Sequence, residues 1–440
     1  MNSMIKGTLR GLDKVLSYIG SEIVLRKADS SIVPRPRKVK QKLLVDCTYI
    51  YSTNVNSGIQ RVIRNIIYHI SKDAQKSHIE LIPVALINGA FVRIDKEKID
   101  RYEALSRSSS ILQRINRKIS LYISSFNQVE TLYEDDILLM LDSSWYLNVW
   151  KSVSYAKERG VSIIGVTYDL IPISNPEFCD DTLGAVFDKW YDLSMHYFNG
   201  YISISQTVMS SLKRYLQEKG ADIDRYSFDY FTLGSDFDKV NSSEKIVSSS
   251  VVGSIYKTNS SIYLTVSTIE PRKNHKYLFE VFKRLWDYDL DVTWVIVGKK
   301  GWKVDKLIES MKSHKMYNKK LFIFNDLDDE KLKYCYCHSK ALLFPSIIEG
   351  YGLPIVESLY NSLPVLASDT PIHREVGGDN IGYFNISSID NLVDMIRSIE
   401  SGESLLKEVD KRSIDIPTWS DSARELFEKT IILSLKRKRV

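Results

Sequence analysis

"ALLFPSIIEGYGLPIVESLYNSLPVLAS", residues 341–368, reads as strand, loop, helix, strand. Its two ends, ALLFPS and PVLAS, are short, near-continuous apolar runs, the pattern of strands buried on both faces. The helix between them crosses Glu357. Pro354 suits its first turn, where a fixed φ and a missing N–H cost little. Two strands joined through a helix lie parallel, so this stretch predicts a parallel sheet covered by helices. The loop at 347–353 then sits at the carboxyl end of a buried strand. Gly350 and Gly352 permit close backbone approach to a ligand, and unpaired N–H groups at the helix start favour an anion such as phosphate. Glu349 falls in the loop and Glu357 in the helix, both expected to face a cleft. Two carboxylates that accept from paired hydroxyls, set around an anion cradle, suit a ligand with hydroxyls at both ends and phosphate between, the layout of a sugar nucleotide.

The same alternation extends in both directions. Upstream of 341, strands are predicted at IYLTVS (262–267), VTWVIVG (292–298) and LFIFN (321–325), with helices from about 275, 304 and 328. A serine-rich stretch at 241–261 interrupts the rhythm and predicts a domain boundary. Before it, strands are expected at LLVDCTYI (43–50), ELIPVALI (80–87), DILLML (136–141), VSIIGVTYD (161–169) and YISIS (201–205), with helices near 58–71, 147–159, 182–198 and 207–219. Residues 95–130 give only a long polar, partly helical excursion. The expected fold class is therefore α/β with two doubly wound parallel-sheet domains, 42–250 and 251–415, facing a cleft. They are preceded by an amphipathic helix and basic linker over 1–41. A helix over 416–440, with Ser420 as its N-cap, crosses back to the N-terminal domain and ends in a basic tail.

A length of 440 residues exceeds what one core ordinarily organises, and 44% hydrophobic with 26% charged residues is the composition of a folded protein. Four scattered cysteines exclude a disulfide framework and fit a reducing cytoplasm. Cys335, Cys337 and His338 form half a metal motif at most, and helix-face packing explains them better. The first 42 residues carry ten Lys/Arg against three Asp/Glu, and 436–439 are all basic, so the remaining body is acidic. That distribution argues against a nucleic-acid-binding domain and for an anionic partner at the tips, with an anionic membrane surface the candidate. Ile5, Leu9, Leu12, Leu16, Ile19 and Ile23 make one helical stripe. It suits either a bilayer interface or the protein's own body, and neither a signal peptide nor a spanning helix.

A second loop follows the first strand of the later domain. In STIEPRKN, 267–274, Arg272 and Lys273 fall just before a helix, as a solvated charged turn or as a counter-charge for a departing diphosphate. Together with FPSIIEGYGLPIVESLYNSLPVLAS and REVGGD (374–379), this loop resembles glycosyltransferase family 4, retaining nucleotide-sugar enzymes of GT-B fold. SGIQRVIRNI (57–66), YDLIPISNPEF (168–178) and ISISQTVMSSL (202–212) look like its bacterial surface-polysaccharide, mannosyltransferase-like branch, and the likeness spans about residues 43–430. The resemblance implies that Glu349 lies by the donor sugar, Glu357 holds the ribose, Lys273 with Arg272 meets the diphosphate, and Gly58 packs against the donor phosphates. Gly350, Tyr351, Gly352 and Leu353 complete the donor loop. Asp169 is expected to meet the acceptor hydroxyl, against a capping role. Two departures stand out: Ser267 replaces an arginine common in the phosphate loop, and Tyr168 replaces a common histidine before the aspartate.

The expected activity is transfer of a hexose, with retention, from a nucleoside diphosphate sugar to a hydroxyl of a lipid-linked saccharide at the cytoplasmic membrane face. GDP-mannose or a related deoxyhexose donor is favoured by resemblance. No metal or other cofactor is expected: Asp222/Asp224, Asp236/Asp238 and Asp326/Asp328 are Asp-x-Asp pairs, yet none replaces a lysine-based phosphate loop. An epimerase or phosphorylase of the same architecture, or a non-catalytic scaffold, are the competing classes.

Overall fold

The apolar runs form two sheets, one in each of two units of the chain. The computed structural model describes residues 33–53, 58–74, 77–87, 89–95, 99, 130–236, 250–325, 327–403, 405–409 and 414–436. The helix expected over 5–23, nearly all of the excursion at 95–130 and the basic residues 437–439 lie outside the described residues.

The first unit spans Met1–Ile173, Asp181–Thr232 and Trp419–Val440. Its elements run β1 (Gln41–Asp46), α1 (Thr48–Thr53), α2 (Gly58–Ala74), β2 (Ile79–Ile87), β3 (Ala90–Arg93) and β4 (Ile137–Met140). Then come α3 (Trp150–Glu158), β5 (Ser162–Thr167), α4 (Leu183–Tyr197), β6 (Gly200–Ser203), α5 (Gln206–Glu218) and β7 (Ser227–Tyr230). Sheet order is β3-β2-β1-β4-β5-β6-β7, parallel except for the β2–β3 pair. Two residues separate β2 from β3, too few for a crossover, so that pair is an antiparallel hairpin. The strand expected over 43–50 ends early. The Asp46 carboxylate accepts from the Thr48 N–H at 3.0 Å and from the Thr48 hydroxyl, which turns the chain into α1. β3 and β7 carry no long apolar run, and β7 is a half-buried edge strand, which is why the sequence did not announce them.

The second unit holds Ser174–Asp180 and Leu233–Thr418. It runs α6 (Val251–Ile255), β8 (Ser261–Val266), α7 (His275–Asp287), β9 (Val292–Val297), α8 (Asp305–Ser313), β10 (Leu321–Phe324) and α9 (Asp329–His338). β11 (Ala341–Phe344), α10 (Leu353–Tyr360), β12 (Val365–Ser368), α11 (Pro371–Gly377), β13 (Gly382–Phe384) and α12 (Ile389–Glu400) complete it. Sheet order is β10-β9-β8-β11-β12-β13, all parallel. The central strands bury both faces: along β9, Val292, Trp294 and Ile296 join one apolar cluster, Val295 and Val297 the other. Trp294 stacks on Phe282 at 5.1 Å, and its indole N–H donates to Thr265 Oγ1 at 2.9 Å, so a large aromatic is buried with its polar atom satisfied. The chain then returns to the first unit as α13 (Trp419–Lys436), which packs on α2. This helix begins at Trp419, so Ser420 lies inside its first turn and does not cap it.

In the second sheet the chain moves outward from β8 in one direction through β9 and β10, and in the other through β11 to β13. The loops leaving the carboxyl ends of β8 and β11 therefore meet at the switch point where ligands enter doubly wound sheets. The β8 loop is laid over the turn after β9: Ile269 N–H donates to Lys299 O at 2.8 Å, and Gly301 N–H to Ile269 O at 2.9 Å. Gly298 makes this contact feasible, because a Cβ there would stand 1.8 Å from Ser267 O. Gly298→Ala is expected to cost about 1–3 kcal/mol in urea unfolding, the range for overpacked sites. Gly58→Ala, with nothing within 4 Å of its Cβ position, should stay within about 0.5 kcal/mol of the parent. Equal unfolding midpoints for all three proteins would show that the β8 loop does not depend on this approach.

Candidate functional site

The loop after β8 narrows to a short helical turn, Pro271–Lys273, followed by Asn274 in the left-handed region at φ 55°. Asparagine tolerates that conformation, and the kink starts α7 at His275. The turn delivers Arg272 and Lys273 against the loop after β11, where Ile347 N–H donates to Arg272 O at 2.8 Å. Gly352, at φ 109°, supplies the bend that opens α10, and Pro354 occupies its first turn as expected.

Glu349 is the hub of the resulting cluster. One of its oxygens pairs with Arg272 Nη1 at 2.7 Å, and the other pairs with Lys273 Nζ. Arg272 Nη1 also donates to Ile348 O at 3.2 Å, while its Nε lies 2.7 Å from Glu270 Oε1. All four side chains are largely buried: relative exposures are 3% for Glu270, 20% for Arg272, 11% for Lys273 and 7% for Glu349. Burial by itself would raise the Glu349 carboxyl, but the Arg272 and Lys273 charges outweigh it and hold the group well below the ordinary carboxylate range. Burial, partly opposed by Glu349, lowers the Lys273 ammonium, and burial raises Glu270 against the pull of the same two cations. Glu349, Arg272 and Lys273, which the sequence reading named for one site, meet in the structure, and that reading overlooked Glu270. Its place in the same EPRKN run was the available signal. The Lys273 ammonium also lies 5.3 Å from the centre of the Phe344 ring, which His373 meets edge-on at 5.2 Å. His373 is fully buried, with Nδ1 2.9 Å from Ser368 O, and no local pattern in the sequence marked it.

Glu357 is 2% exposed within α10, and its Oε2 accepts from the Tyr336 hydroxyl at 2.7 Å. The sequence reading expected it to face a cleft; within the second unit its side chain is buried against α9. Its partner comes from α9, so the run Cys335-Tyr336-Cys337-His338 contributes a hydroxyl to this carboxylate. Cys335 is buried and Cys337 exposed on that helix. Gly350 and Tyr351 are buried in the β11 loop, and Leu353 opens α10. Ser267 Oγ, at the position where an arginine was anticipated from resemblance, lies 3.4 Å from His275 Nε2. Among the described residues no three His, Cys, Asp or Glu side chains group as a metal site, and no helix is long and apolar enough to cross a membrane.

In the first unit the corresponding switch point lies between β1 and β4. Gly58 begins α2 there, downstream of β1. Asp169 Oδ1 accepts from Ile171 N–H at 3.1 Å, the capping contact that the sequence reading held as its alternative. Tyr168 is buried and donates to Leu141 O at 2.8 Å, so its hydroxyl ties the end of β5 to that of β4. The sequence reading missed a pair of buried acids here, Asp46 and Asp142. Asp142 accepts from Ile50 N–H at 2.7 Å and from Ser143 N–H at 2.7 Å, while Asp46 holds Thr48. Burial pushes the Asp46 carboxyl up to about 6, against its bonds to Thr48. Burial, then the charge on Asp46, pushes Asp142 up to about 7. Their local signal was faint, since aspartate after a strand is also an ordinary turn residue.

Comparison with known proteins places the cluster in context. Residues 254–415 match the family described as Glycosyl transferases group 1. The chain is 26% identical over 404 residues to the serotype-specific mannosyltransferase WbdA of Escherichia coli, covering 90% of this chain and 47% of that protein. It is 24% identical over 200 residues to the O-antigen chain mannosyltransferase RfbU of Salmonella typhimurium, covering 45% of this chain and 50% of that one. The chain thus spans about half the length of the curated relatives it matches. Among solved structures, a glycosyltransferase from Rickettsia africae ESF-5 aligns with TM-score 0.59 at 18% identity, over 90% of this chain and 98% of that chain. Anabaena Alr3699/HepE, solved in complex with UDP and glucose, aligns with TM-score 0.52 at 13% identity, over 91% of this chain and 98% of that chain. The chain has the α/β, two-domain GT-B fold, and its overall similarity to these mannosyltransferases agrees with the resemblance to glycosyltransferases of the mannosyltransferase-like branch.

The acid pair of the first unit sets a pH dependence. An ordinary aspartate in the unfolded chain ionises near 3.9, roughly, so between that value and about 7 the native state binds more protons than the unfolded one. Stability from this pair is present at low pH and is lost as pH rises through about 6 and about 7. Asp142→Asn should flatten the decline of the urea midpoint between roughly pH 4 and 7; the same slope in both proteins would contradict the shared burial of the two acids.

Proposed function

We propose that this chain is a retaining hexosyltransferase. It moves mannose or a related deoxyhexose from a nucleoside diphosphate sugar, GDP being the favoured base, to a hydroxyl of a lipid-linked or growing saccharide of a bacterial surface polysaccharide. One observation carries the reading: Arg272, Lys273 and Glu349 converge at the β8–β11 switch point, inside the span that matches the group 1 family. Similarity to mannosyltransferases over 90% of the chain supports the choice of sugar.

In this reading Arg272 and Lys273 take the charge that grows on the leaving diphosphate as the glycosidic bond loosens. Fixed cations in a mostly buried turn do this without the reorganisation that water would require. Glu349 lies beside the donor sugar, and Glu357, held by Tyr336, receives the ribose hydroxyls. Gly350, Tyr351, Gly352 and Leu353 carry the backbone that lines the donor. Asp169 orients the acceptor hydroxyl, whose proton passes to the departing diphosphate on the same face of the sugar. Charge neutralisation comes from lysine and arginine, so transfer proceeds in the presence of a chelator. The basic tips of the chain attract an anionic membrane surface that carries the acceptor.

Turnover of GDP-mannose, followed as slow release of GDP with water as acceptor, tests the assignment directly. Lys273→Ala should lower the rate by about a hundredfold or more, the loss seen when one fixed donor to a developing anion is removed. EDTA should leave the parent rate unchanged. Equal release by parent and variant, or no release from any of a panel of nucleotide sugars, refutes the assignment.

A further inference from the structure

We propose that Glu349 occupies the phosphate site of its own protein, and that a nucleoside diphosphate enters by exchange, taking Arg272 and Lys273 from this carboxylate and releasing it toward the sugar. The inference rests on the function proposed above and adds a rule of specificity to it.

Ionised, Glu270, Arg272, Lys273 and Glu349 sum to no net charge. A cluster balanced in this way offers an incoming phosphate no uncompensated cation. Glu349 bridges the two cations with one oxygen on each, 2.7 Å from Arg272 on one side. Two oxygens of a phosphate would engage a guanidinium and an ammonium in the same manner. Both cannot be present at once: a phosphate beside this carboxylate would set like charges against one another in a site that water scarcely reaches. One of the two acids must yield. Glu270 precedes Arg272 by two residues and keeps its contact within the same turn, whereas Glu349 reaches across from a separate loop.

The backbone allows a side-chain exchange without rebuilding the loops. They remain joined by the Ile347 N–H to Arg272 O bond, which involves neither carboxylate. Once Glu349 has lost its cations it is a buried acceptor in need of donors. The hydroxyls of a sugar attached to the second phosphate supply them. A nucleoside diphosphate without its sugar leaves the carboxylate unsatisfied, and Glu349 then competes to recover Arg272 and Lys273. The exchange therefore favours the sugar-bearing donor over the spent nucleotide and assists product release.

Calorimetric titration of the full chain with GDP, UDP and GDP-mannose decides the matter, using the parent and Glu349→Gln. GDP should bind the variant about tenfold or more tightly than the parent, since a carboxylate that opposes the anion has been removed. GDP-mannose should gain much less, so that the parent's preference for the sugar-bearing ligand shrinks. Where Glu349→Gln fails to fold, Glu349→Asp is used. Its shorter side chain cannot span both cations, and GDP is again expected to bind more tightly. GDP binding no tighter in the folded variant than in the parent overturns the exchange, as does equal tightening of GDP and GDP-mannose. If the parent binds none of the three ligands, the functional reading itself fails and this inference falls with it.

Discussion

Two adjacent cations in a largely buried turn have to be neutralised, and the second unit is arranged around that requirement. Arg272 and Lys273 follow one another, so their mutual repulsion and their desolvation must be offset by acids brought in from nearby. Glu270 comes from the same turn and Glu349 from the loop after β11. Buried ion pairs of this kind seldom stabilise a protein more than well-packed apolar residues of equal volume would. Their presence therefore calls for another explanation, and an anion that borrows the cations is one that fits their chemistry.

The sheet makes this meeting of loops possible. β8 and β11 are hydrogen-bonded neighbours, although Ala341 follows Val266 by 74 intervening residues that supply β9 and β10. The reversal of direction at this point leaves no helix crossing between the carboxyl ends of the two strands. Gly298 lets the β8 loop settle on the turn after β9, and Gly352 bends the β11 loop into α10. Positions of this sort decide where a charged side chain arrives, while Trp294, Phe282 and their neighbours only ensure that the strands below it stay fixed.

Much of this could be read from residue order. Runs such as ALLF and VTWVIV name their own strands because both faces are buried and nearly every residue is apolar. Pro354, the paired glycines and the acids at 349 and 357 marked a loop and a helix start with little ambiguity. Elements without an apolar run were not legible: β3, β7 and β13 are three or four residues long and depend on a neighbouring strand already in place. The limit for the site was similar. Residues 272, 273 and 349 were named together, but sequence gave no means of knowing that the acid would pair with the cations. The place of Glu357 in the helix was legible from its spacing to Glu349, whereas Tyr336, which holds it, lies 21 residues away on another helix. Asp46 and Asp142 are separated by 96 residues, and only the pairing of β1 with β4 brings their loops together.

The two sheets also show what topology leaves undecided. Each has one switch point, β1 with β4 in the first unit and β8 with β11 in the second, so strand order alone nominates both as ligand sites. Their chemistry differs. In the first unit the buried charges are acids that accept from backbone N–H groups: Asp46 from Thr48, and Asp142 from Ser143 and, across to the loop after β1, from Ile50. They fix the path of the chain into α1 and after β4, and a further anion there would meet only like charge. In the second unit the cations are held by a carboxylate on a separate loop, a contact that can be given up without breaking a backbone hydrogen bond. A phosphate can replace a carboxylate but cannot replace an N–H group. That asymmetry, and not the fold shared by the two halves, supports the proposed placement of a phosphate at Arg272 and Lys273.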